Sequence, residues 1–415
     1  MLQSSSLLLW LAATLLPALP IAAQNVPPEA TPFKMTGNIY LPKKLPATPE
    51  RVASLKAPPG FVISQYATGL DMPRMLAVAP GGDVYVSNRV KGTVTLLRDA
   101  NRDGKAEVVQ QVAQKPHLHG LALKDGKLYM AAIRELYVAD VKADGTLGEL
   151  KTLYTDLPDA GQHANRTLRF GPDGQLYLSV GSTCNACDED NPENATLLRI
   201  KTDGSGRTVY ARGLRNTIGF DWHPGTGQLF GMDHGIDWLG DEDQMEELNQ
   251  LKENAHYGWP SIIADGKPYP ANKPKSGDSY AQFDAKCVRP ALLYKAHSAP
   301  LALTFNRVQL FPPAYENDAF VTMHGSWNRA QPAGYKIVRV HFNDRGQPER
   351  FEDFVTGWLV EGDKAEFGRP CALVQAPDGS LLVSDDDNGV IYRISYNAPR
   401  QAPVPVQKAK VKTKG

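Results

Sequence analysis

The sequence predicts an all-β fold, a six-bladed β-propeller with four-stranded blades, and three observations support this prediction. The 415-residue chain contains 36 Gly and 32 Pro, a content typical of turn-rich β proteins. A short apolar strand, a Gly-Asp or Asp-Gly turn and an aromatic-containing strand recur about six times, at roughly 45 to 60 residues, which is propeller spacing. One such hairpin cannot bury both faces alone, whereas six packed radially can.

The copies of this pattern also suggest how the ring closes and where it is interrupted. They centre on Gly82, Gly126, Gly174, Gly227, Asn317 and Gly379. The segment from Gly60 to Leu70 precedes the first copy, and we expect it to supply the outer strand of the last blade. The long fourth interval predicts an inserted loop region between the fourth and fifth blades, from Gly240 to Leu293, with a helix over DEDQMEELNQLKEN. A two-sheet sandwich is the alternative, which the regular long period disfavours.

The N-terminal residues 1–23 have the composition of a cleaved secretory signal. An apolar run from Leu7 to Leu16 is followed by prolines and by the small pair Ala22-Ala23. A membrane anchor is the alternative, but the apolar run is short for a membrane span and is followed by proline. We therefore expect a periplasmic protein that is not an integral membrane protein once the signal is removed.

The rest of the chain divides by composition into three further segments. Residues 24–57 form a Pro-rich extension, residues 58–397 carry the repeats and are the expected catalytic domain, and residues 398–415 form a basic tail expected to be flexible. The formal net charge is zero, which gives no electrostatic basis for binding nucleic acid or an anionic membrane.

Four cysteines are too few for a disulfide scaffold. Cys184 and Cys187 form a C-x-x-C motif, but Asp188 follows instead of the His that covalent haem attachment requires. A zinc site would need a second ligand pair with matching spacing, which the sequence lacks. We favour a local disulfide that braces a loop over a redox-catalytic role. Cys287 and Cys371 are far apart in sequence and either pair or stay free.

The candidate site lies in the run from Gly161 to Gly235. His163 and Arg166 stand in a polar segment just before a strand, and Arg215 and Asn216 follow a Gly-Leu turn before another strand. An isolated His is most often a structural hydrogen-bonding group, but in a propeller the segments before inner strands line the central channel. A neutral His there can accept a proton, and Arg with Asn offers donors to a carbonyl or carboxylate.

Further copies of the pattern place more basic residues at equivalent positions. Arg369 precedes the first strand of the last copy, Arg329 follows a strand of the fifth, and His119 begins the second. Several cationic groups directed at one channel would repel one another, so they imply an anionic ligand.

An acidic loop rich in carbonyl groups closes the run. It extends from Asp233 to Asp243 and does not have the spacing of an EF-hand. Hard cations such as calcium bind carboxylate and backbone carbonyl oxygens, so the loop is either a calcium site or a solvated acidic turn.

Five stretches in this order resemble the soluble pyrroloquinoline quinone (PQQ)-dependent sugar dehydrogenases of the glucose/sorbosone dehydrogenase family. They are His163 with FGPDGQLYLSVGS, GLRNTIGFDWHP, DHGIDWLGDE with NAHYGWP, HGSWNR with GYKIVRV, and GRPCALVQAPDGSLLVSDD. The resemblance covers roughly residues 58–396. It implies a six-bladed propeller with PQQ lying over the channel.

The resemblance also implies roles for individual residues. His163 would take the proton of the anomeric hydroxyl while hydride passes to the C5 carbonyl of PQQ, Arg215 would polarise that carbonyl, and Asn216 would contact the quinone. Backbone carbonyls of Gly235 and Ile236 would hold a calcium ion. The residues expected to bind the cofactor are Arg215, Asn216, Arg329, Arg369, Trp327 and His119.

The implied activity is oxidation of an aldose or a related sugar or aldehyde at the anomeric carbon. Electrons would pass to an external acceptor such as a cytochrome or a quinone, and the enzyme would be a monomer or homodimer. Ile218 and Cys371 stand where glucose dehydrogenases carry Gln and Arg, which fits the sorbosone/pyranose branch better. The alternatives are a calcium-dependent propeller lactonase, whose ring of acidic ligands we do not find, and a secreted propeller that binds protein or glycan without catalysis.

Overall fold

The structure, a computed structural model, describes residues 35–159 and 161–397. The expected signal segment and basic tail lie outside these residues. Helices in the described part are short, and none is long and apolar enough to cross a bilayer. They are the α-helices Pro49–Ala53 and Tyr280–Asp284 and the 3-10 helix Pro313–Tyr315.

Most strands belong to six four-stranded antiparallel sheets, numbered here 1 to 6. Sheets 1 to 3 contain Leu76–Val78, Val84–Asn88, Thr93–Arg98 and Val108–Gln114; Gly120–Lys124, Lys127–Ala131, Leu136–Asp140 and Lys151–Tyr154; Leu168–Phe170, Leu176–Val180, Thr196–Ile200 and Arg207–Arg212. Sheets 4 to 6 contain Thr217–Trp222, Leu229–Asp233, Glu246–Leu251 and Leu292–Tyr294; Pro300–Phe305, Ala319–Met323, Lys336–Phe342 and Pro348–Val355; Pro370–Gln375, Leu381–Asp385, Val390–Tyr396 and Phe61–Ala67.

The first strands of the six sheets lie side by side around a central channel. The channel has a volume of about 500 Å³ and is lined by the first strand of every sheet. These strands are mostly apolar, and the main hydrophobic clusters lie between neighbouring sheets. The prediction of an all-β fold of four-stranded sheets is confirmed, and the arrangement is propeller-like, not a two-sheet sandwich.

Sheet 6 is completed by a strand from the other end of the chain. Phe61–Ala67 pairs antiparallel with Val390–Tyr396, as expected for the segment from Gly60 to Leu70. The Phe61 ring makes edge contacts with Phe311 and Phe354, at centroid distances of 4.8 and 4.9 Å. Aromatic packing therefore adds to the backbone hydrogen bonds where sheets 5 and 6 meet.

The predicted insertion is wrong in its position and in its helix. Glu246–Leu251, in the middle of the predicted helix, is the third strand of sheet 4 and pairs with Leu229–Asp233. Leu292–Tyr294 is the fourth strand, so the long connection of residues 252–291 lies inside sheet 4, not between sheets 4 and 5. Helix propensity is a weak preference, and pairing in a buried sheet overrides it here.

The Pro-rich extension runs along one edge of the ring and forms part of a small sheet. Lys43–Lys44 pairs parallel with Ala365–Glu366, which also pairs with Leu359–Val360. Upstream, the backbone N–H of Thr36 donates to Trp238 and that of Tyr40 donates to Trp327. Inside the long connection of sheet 4, a second small sheet joins Ile262–Ile263 to Lys267–Pro268.

Asp221 joins three sheets at the end of the channel that lies at the carboxyl ends of the first strands. Its carboxylate, 1% exposed, accepts from both terminal nitrogens of Arg307, at 2.6 and 2.5 Å, and lies 3.3 Å from Arg169. It also accepts from the backbone N–H of Phe305 at 2.9 Å. Although burial opposes ionisation, the Arg169 and Arg307 guanidiniums hold the pKa of Asp221 below its ordinary value.

We expect Asp221→Ala to lower the free energy of unfolding by about 3–5 kcal/mol, because it leaves two guanidiniums without their carboxylate. Urea denaturation measures this loss. The matched control is Asp353→Ala, which removes an exposed pair with Lys336 and should cost about 1 kcal/mol or less. A loss at Asp221 no larger than the control would contradict its role in joining the sheets.

Candidate functional site

The candidate site lies at one end of the channel, called the mouth here. In an antiparallel sheet the start of the first strand and the end of the second meet at the same edge. Side chains just before first strands and just after second strands therefore converge at this end of the ring. They are Arg74, Arg89, His119, His163, Arg215, His234, His324 and Arg369.

His163 lies before the first strand of sheet 3 with one ring nitrogen fixed. Its Nδ1 is 2.8 Å from Ser182 Oγ and 3.0 Å from the Ser182 carbonyl oxygen. Nε2 has no hydrogen-bond partner among the described residues. Burial, together with the charges of Arg215 and His234, lowers the pKa of His163 to about 3, so the imidazole is neutral at pH 7. A neutral, oriented imidazole with a free nitrogen can accept a proton.

Arg215, 3% exposed, lies before the first strand of sheet 4. Its Nε and one terminal nitrogen donate to the carbonyl and side-chain oxygens of Asn185, at 2.9 and 2.8 Å. The same terminal nitrogen forms an ion pair with Asp237 at 2.9 Å. Burial lowers the pKa of Arg215, and the nearby carboxylate of Asp237 opposes this shift. The guanidinium therefore remains a buried cation near His163.

Asn216 is held by the carboxylate of Asp233, at the end of the next strand. Asp233 accepts from the backbone N–H groups of Arg215 and Asn216 and from the Thr217 hydroxyl, each at 2.8 Å. Burial raises the pKa of Asp233 to about 6. The Asn216 amide nitrogen lies 3.3 Å from Nδ1 of His234, so Asn216 and His234 are also held together at the mouth.

The loop expected to hold calcium comes directly after Asp233 and His234 in the chain. The N–H of Gly235 donates to Glu246 at 3.0 Å, and a side chain at Gly235 would collide with the Gln244 backbone, 2.3 Å from the Cβ position. Ile236 is fully buried, which anchors the loop. The carbonyl oxygens of Gly235 and Ile236 accept no hydrogen bond from the described residues, so they are available to a hard cation.

Two guanidiniums at the mouth face no carboxylate within the described ranges. Arg369 donates through Nε and one terminal nitrogen to the carbonyls of His324 and Gly325, at 3.3 and 2.7 Å, and lies over the Tyr335 ring. Arg89 has a buried Nε without a partner, and burial and Arg74 lower its pKa. Cations without a carboxylate partner at this end of the ring fit a ligand with several negative charges.

Arg329, also expected to bind the cofactor, is bound within the protein instead. Arg329 is 2% exposed, and its guanidinium is bound to Glu242 at 2.5 Å and to the Asp241 and Gln331 carbonyls. We therefore do not retain Arg329 as a carboxylate partner of the cofactor, because its donors are already used within the protein. Arg329 instead stabilises the acidic loop through its bonds to Asp241 and Glu242.

Trp327 and His119 remain at or near the mouth. Trp327 is 38% exposed, and its ring contacts Trp238 edge to face at 5.1 Å. His119 is buried, with Nδ1 2.9 Å from the carbonyl oxygen of Arg166 and Nε2 without a partner. Burial and the nearby Arg74 lower the pKa of His119 to about 3, so this His is also neutral at pH 7.

Sequence reasoning missed Arg89, Ser182 and Asn185. Arg89 and Ser182 follow second strands, a position that the repeat itself could have indicated. No local pattern marks Asn185, whose partners are 30 and 52 residues away.

The structure also places the four cysteines, and Ile218 and Cys371, which replace the Gln and Arg of glucose dehydrogenases. Cys184 and Cys187 form the predicted disulfide, and Cys287 and Cys371 are free. Ile218 and Cys371 pack against Leu301 in one small buried cluster next to the channel. Both departures from the glucose dehydrogenase pattern therefore belong to one apolar patch.

Comparison with known proteins gives a consistent family. A family model described as TrAA12-like matches residues 55–397. A protein of Borreliella burgdorferi described as uncharacterized is 28% identical over 88% of this chain and 97% of its own length. A PQQ-dependent pyranose dehydrogenase of Coprinopsis cinerea is 24% identical over 84% of this chain, which spans only 56% of that relative.

Solved structures agree on the fold. The PQQ domain of the Coprinopsis cinerea pyranose dehydrogenase, in its holo form, gives a TM-score of 0.70 at 22% identity, covering 82% of this chain and 97% of that chain. The calcium structure of the Trichoderma reesei AA12 enzyme also gives 0.70, at 21% identity with the same coverage. The resemblance inferred from the sequence motifs is confirmed, and the chain belongs to the TrAA12-like family.

Proposed function

We propose that this protein is a PQQ-dependent dehydrogenase that oxidises an aldose or a related sugar or aldehyde at the anomeric carbon. The observation that carries the proposal is that a neutral His163 with a free Nε2 lies near the buried guanidinium of Arg215, at a mouth that also has cations without a carboxylate partner. The PQQ-dependent pyranose dehydrogenase of Coprinopsis cinerea supports the cofactor and the substrate class.

We further propose that residues 58–397 form a six-bladed propeller, each sheet being one blade. Six four-stranded sheets around one channel support this count. In the proposed organisation residues 1–23 are a signal, residues 24–57 an extension and residues 398–415 a basic tail.

The residues at the mouth fit PQQ, which carries three carboxylates. Arg369 has donors that no protein carboxylate uses, and Arg89 and His119 each have a buried nitrogen without a partner. When bound, PQQ supplies a quinone that accepts the two electrons of the oxidation. Arg215 and Asn216 would orient the quinone, and Trp327 would contribute to the edge of the site.

The loop after Asp233 fits a calcium ion. Gly235 and Ile236 present carbonyl oxygens that are free of hydrogen bonds from the described residues, and Glu246 fixes the loop through the Gly235 N–H. Calcium prefers such oxygen ligands. The calcium structure of the Trichoderma AA12 enzyme supports its presence.

His163 would act as the general base. Its Nδ1 is fixed by Ser182, so Nε2 is the nitrogen that can take the proton of the anomeric hydroxyl. Proton removal makes the anomeric carbon able to lose hydride as the carbonyl forms. A polyanionic cofactor would offset part of the positive charge that depresses the pKa of His163 and so make it a better base.

We place the enzyme in the periplasm, with electrons passing to an external acceptor such as a cytochrome or quinone. The apolar run before Ala22-Ala23 supports export.

We expect His163→Gln to slow cofactor reduction by an aldose by roughly 10²–10⁴-fold, because general-base catalysis contributes about that factor. Single-turnover absorbance of the holoenzyme measures the rate. PQQ and calcium affinity should stay within a few-fold of wild type. The control is His117→Gln, at an exposed position, which should leave the rate unchanged.

The pH profile tests the same assignment. Because the pKa of His163 is lowered, the base form persists below pH 6.5, and the wild-type rate should fall only at more acidic pH. A His163→Gln rate within a few-fold of wild type would exclude His163 as the base.

We expect Arg369→Ala to weaken PQQ affinity about ten- to hundred-fold, since a charge-assisted hydrogen bond contributes about 1.5–3 kcal/mol. Titration of the apoprotein with PQQ in calcium measures the affinity. Arg350→Ala, far from the mouth on sheet 5, is the matched control. If saturating PQQ fails to restore most of the rate, Arg369 does not act mainly through a carboxylate.

We expect the mature protein to begin near Gln24 and to be recovered from the periplasm, because the apolar run ends in the small pair Ala22-Ala23. N-terminal sequencing of the exported protein checks this expectation. An intact Met1 in a membrane fraction would contradict it.

A further inference from the structure

We propose that Asn185 is a positioning residue that fixes the Arg215 guanidinium against the loop expected to hold calcium, and that the Cys184–Cys187 disulfide holds Asn185 in place. The proposal deepens the proposed function and rests on it, because Arg215 is placed there as the group that orients the quinone. Asn185 itself would touch neither cofactor nor sugar.

The first observation is the number of contacts made by one side chain. Asn185 Oδ1 accepts from Arg215 and from the backbone N–H of Asp237, both at 2.8 Å. Asn185 Nδ2 donates to the carbonyl of Asp237 at 3.2 Å, and the Asn185 carbonyl accepts from Arg215 Nε at 2.9 Å. One residue in the connection between the second and third strands of sheet 3 therefore binds both the guanidinium of Arg215 and the backbone of the acidic loop.

These contacts form a closed set with an ion pair. Asp237 Oδ2 binds Arg215 at 2.9 Å, while Asp237 Oδ1 accepts from Asn328 of sheet 5 at 2.8 Å. Arg215, Asp237 and Asn185 thus fix one another, and Asn328 ties the group to a third sheet. Without the Asn185 side chain, Arg215 would keep Asp237 and the backbone carbonyl of residue 185 but lose the Oδ1 acceptor, so its terminal nitrogen would be held by Asp237 alone.

The second observation is the disulfide that encloses Asn185. Cys184 and Cys187 are bonded across Asn185 and Ala186, and both Cys184 and Ala186 pack against the cluster that contains Ile236. Ser182 Oγ donates to the Cys184 carbonyl at 2.7 Å and also contacts His163 Nδ1. The same short loop therefore supports His163 on one side and Arg215 on the other.

The test is a double-mutant cycle on PQQ affinity with calcium present. Asn185→Ala should weaken affinity about ten- to hundred-fold, the loss expected when a charge-assisted hydrogen-bond network is broken. In the Arg215→Met background the same substitution should change affinity by less than about threefold, because Asn185 would act through Arg215. Asp190→Ala, an exposed residue of the same loop, is the control. Equal effects in both backgrounds would overturn the positioning role.

A second readout needs no cofactor. Asn185→Ala should speed hydrogen exchange of the Asp237 amide in the apoprotein, because that amide loses its acceptor. Unchanged exchange in a protein that binds PQQ would overturn the positioning role alone. Failure of wild type to bind PQQ would instead reject the proposed function, and the role toward the cofactor with it.

A variant of the disulfide covers the case in which Asn185→Ala does not fold. Cys184→Ser with Cys187→Ser keeps every Asn185 atom and removes only the covalent link. We expect a smaller loss of PQQ affinity in the same direction, which should again vanish in the Arg215→Met background. Full wild-type affinity after loss of the disulfide would reject its part in the proposal.

Discussion

Closure of the ring by Phe61–Ala67 against Val390–Tyr396 is the constraint on which the site depends. Each first strand is wedged between two neighbours, so opening the ring at one point would change the angular spacing of all six. His163, Arg215 and Arg369 belong to sheets 3, 4 and 6. Their mutual placement therefore depends on closure of the ring, and for His163 and Arg215 also on the loop that holds Ser182 and Asn185.

The charge at the mouth is only partly balanced within the protein. Arg215 has Asp237, but Arg89 and Arg369 have no carboxylate partner in the described ranges. Holding such cations close together in a partly buried space costs free energy in the absence of a ligand. An anionic cofactor removes that cost, so its binding and the stability of the mouth should be thermodynamically linked.

The sequence indicated the sheets and the main site residues because both depend on local signals. Turn residues between apolar strands mark each hairpin, and His163 and Arg215 stand just before first strands. The strand Glu246–Leu251 was predicted as a helix because its local composition favours helix, whereas its pairing partner decides the outcome. The ion pair of Arg329 with Glu242 joins residues 87 apart, and no spacing rule predicts such a pair.

The path of the N-terminal extension bears on how the protein could be attached to a surface. Thr36 and Tyr40 are hydrogen-bonded to loops at the mouth, whereas the third strand of sheet 6 runs away from the mouth and ends at Tyr396 on the opposite face. Residues 36 and 396 therefore lie at opposite ends of the channel. Linkage to an electrode through the Tyr396 end would leave the mouth facing solution, while linkage beside Thr36 would bring the mouth close to the electrode.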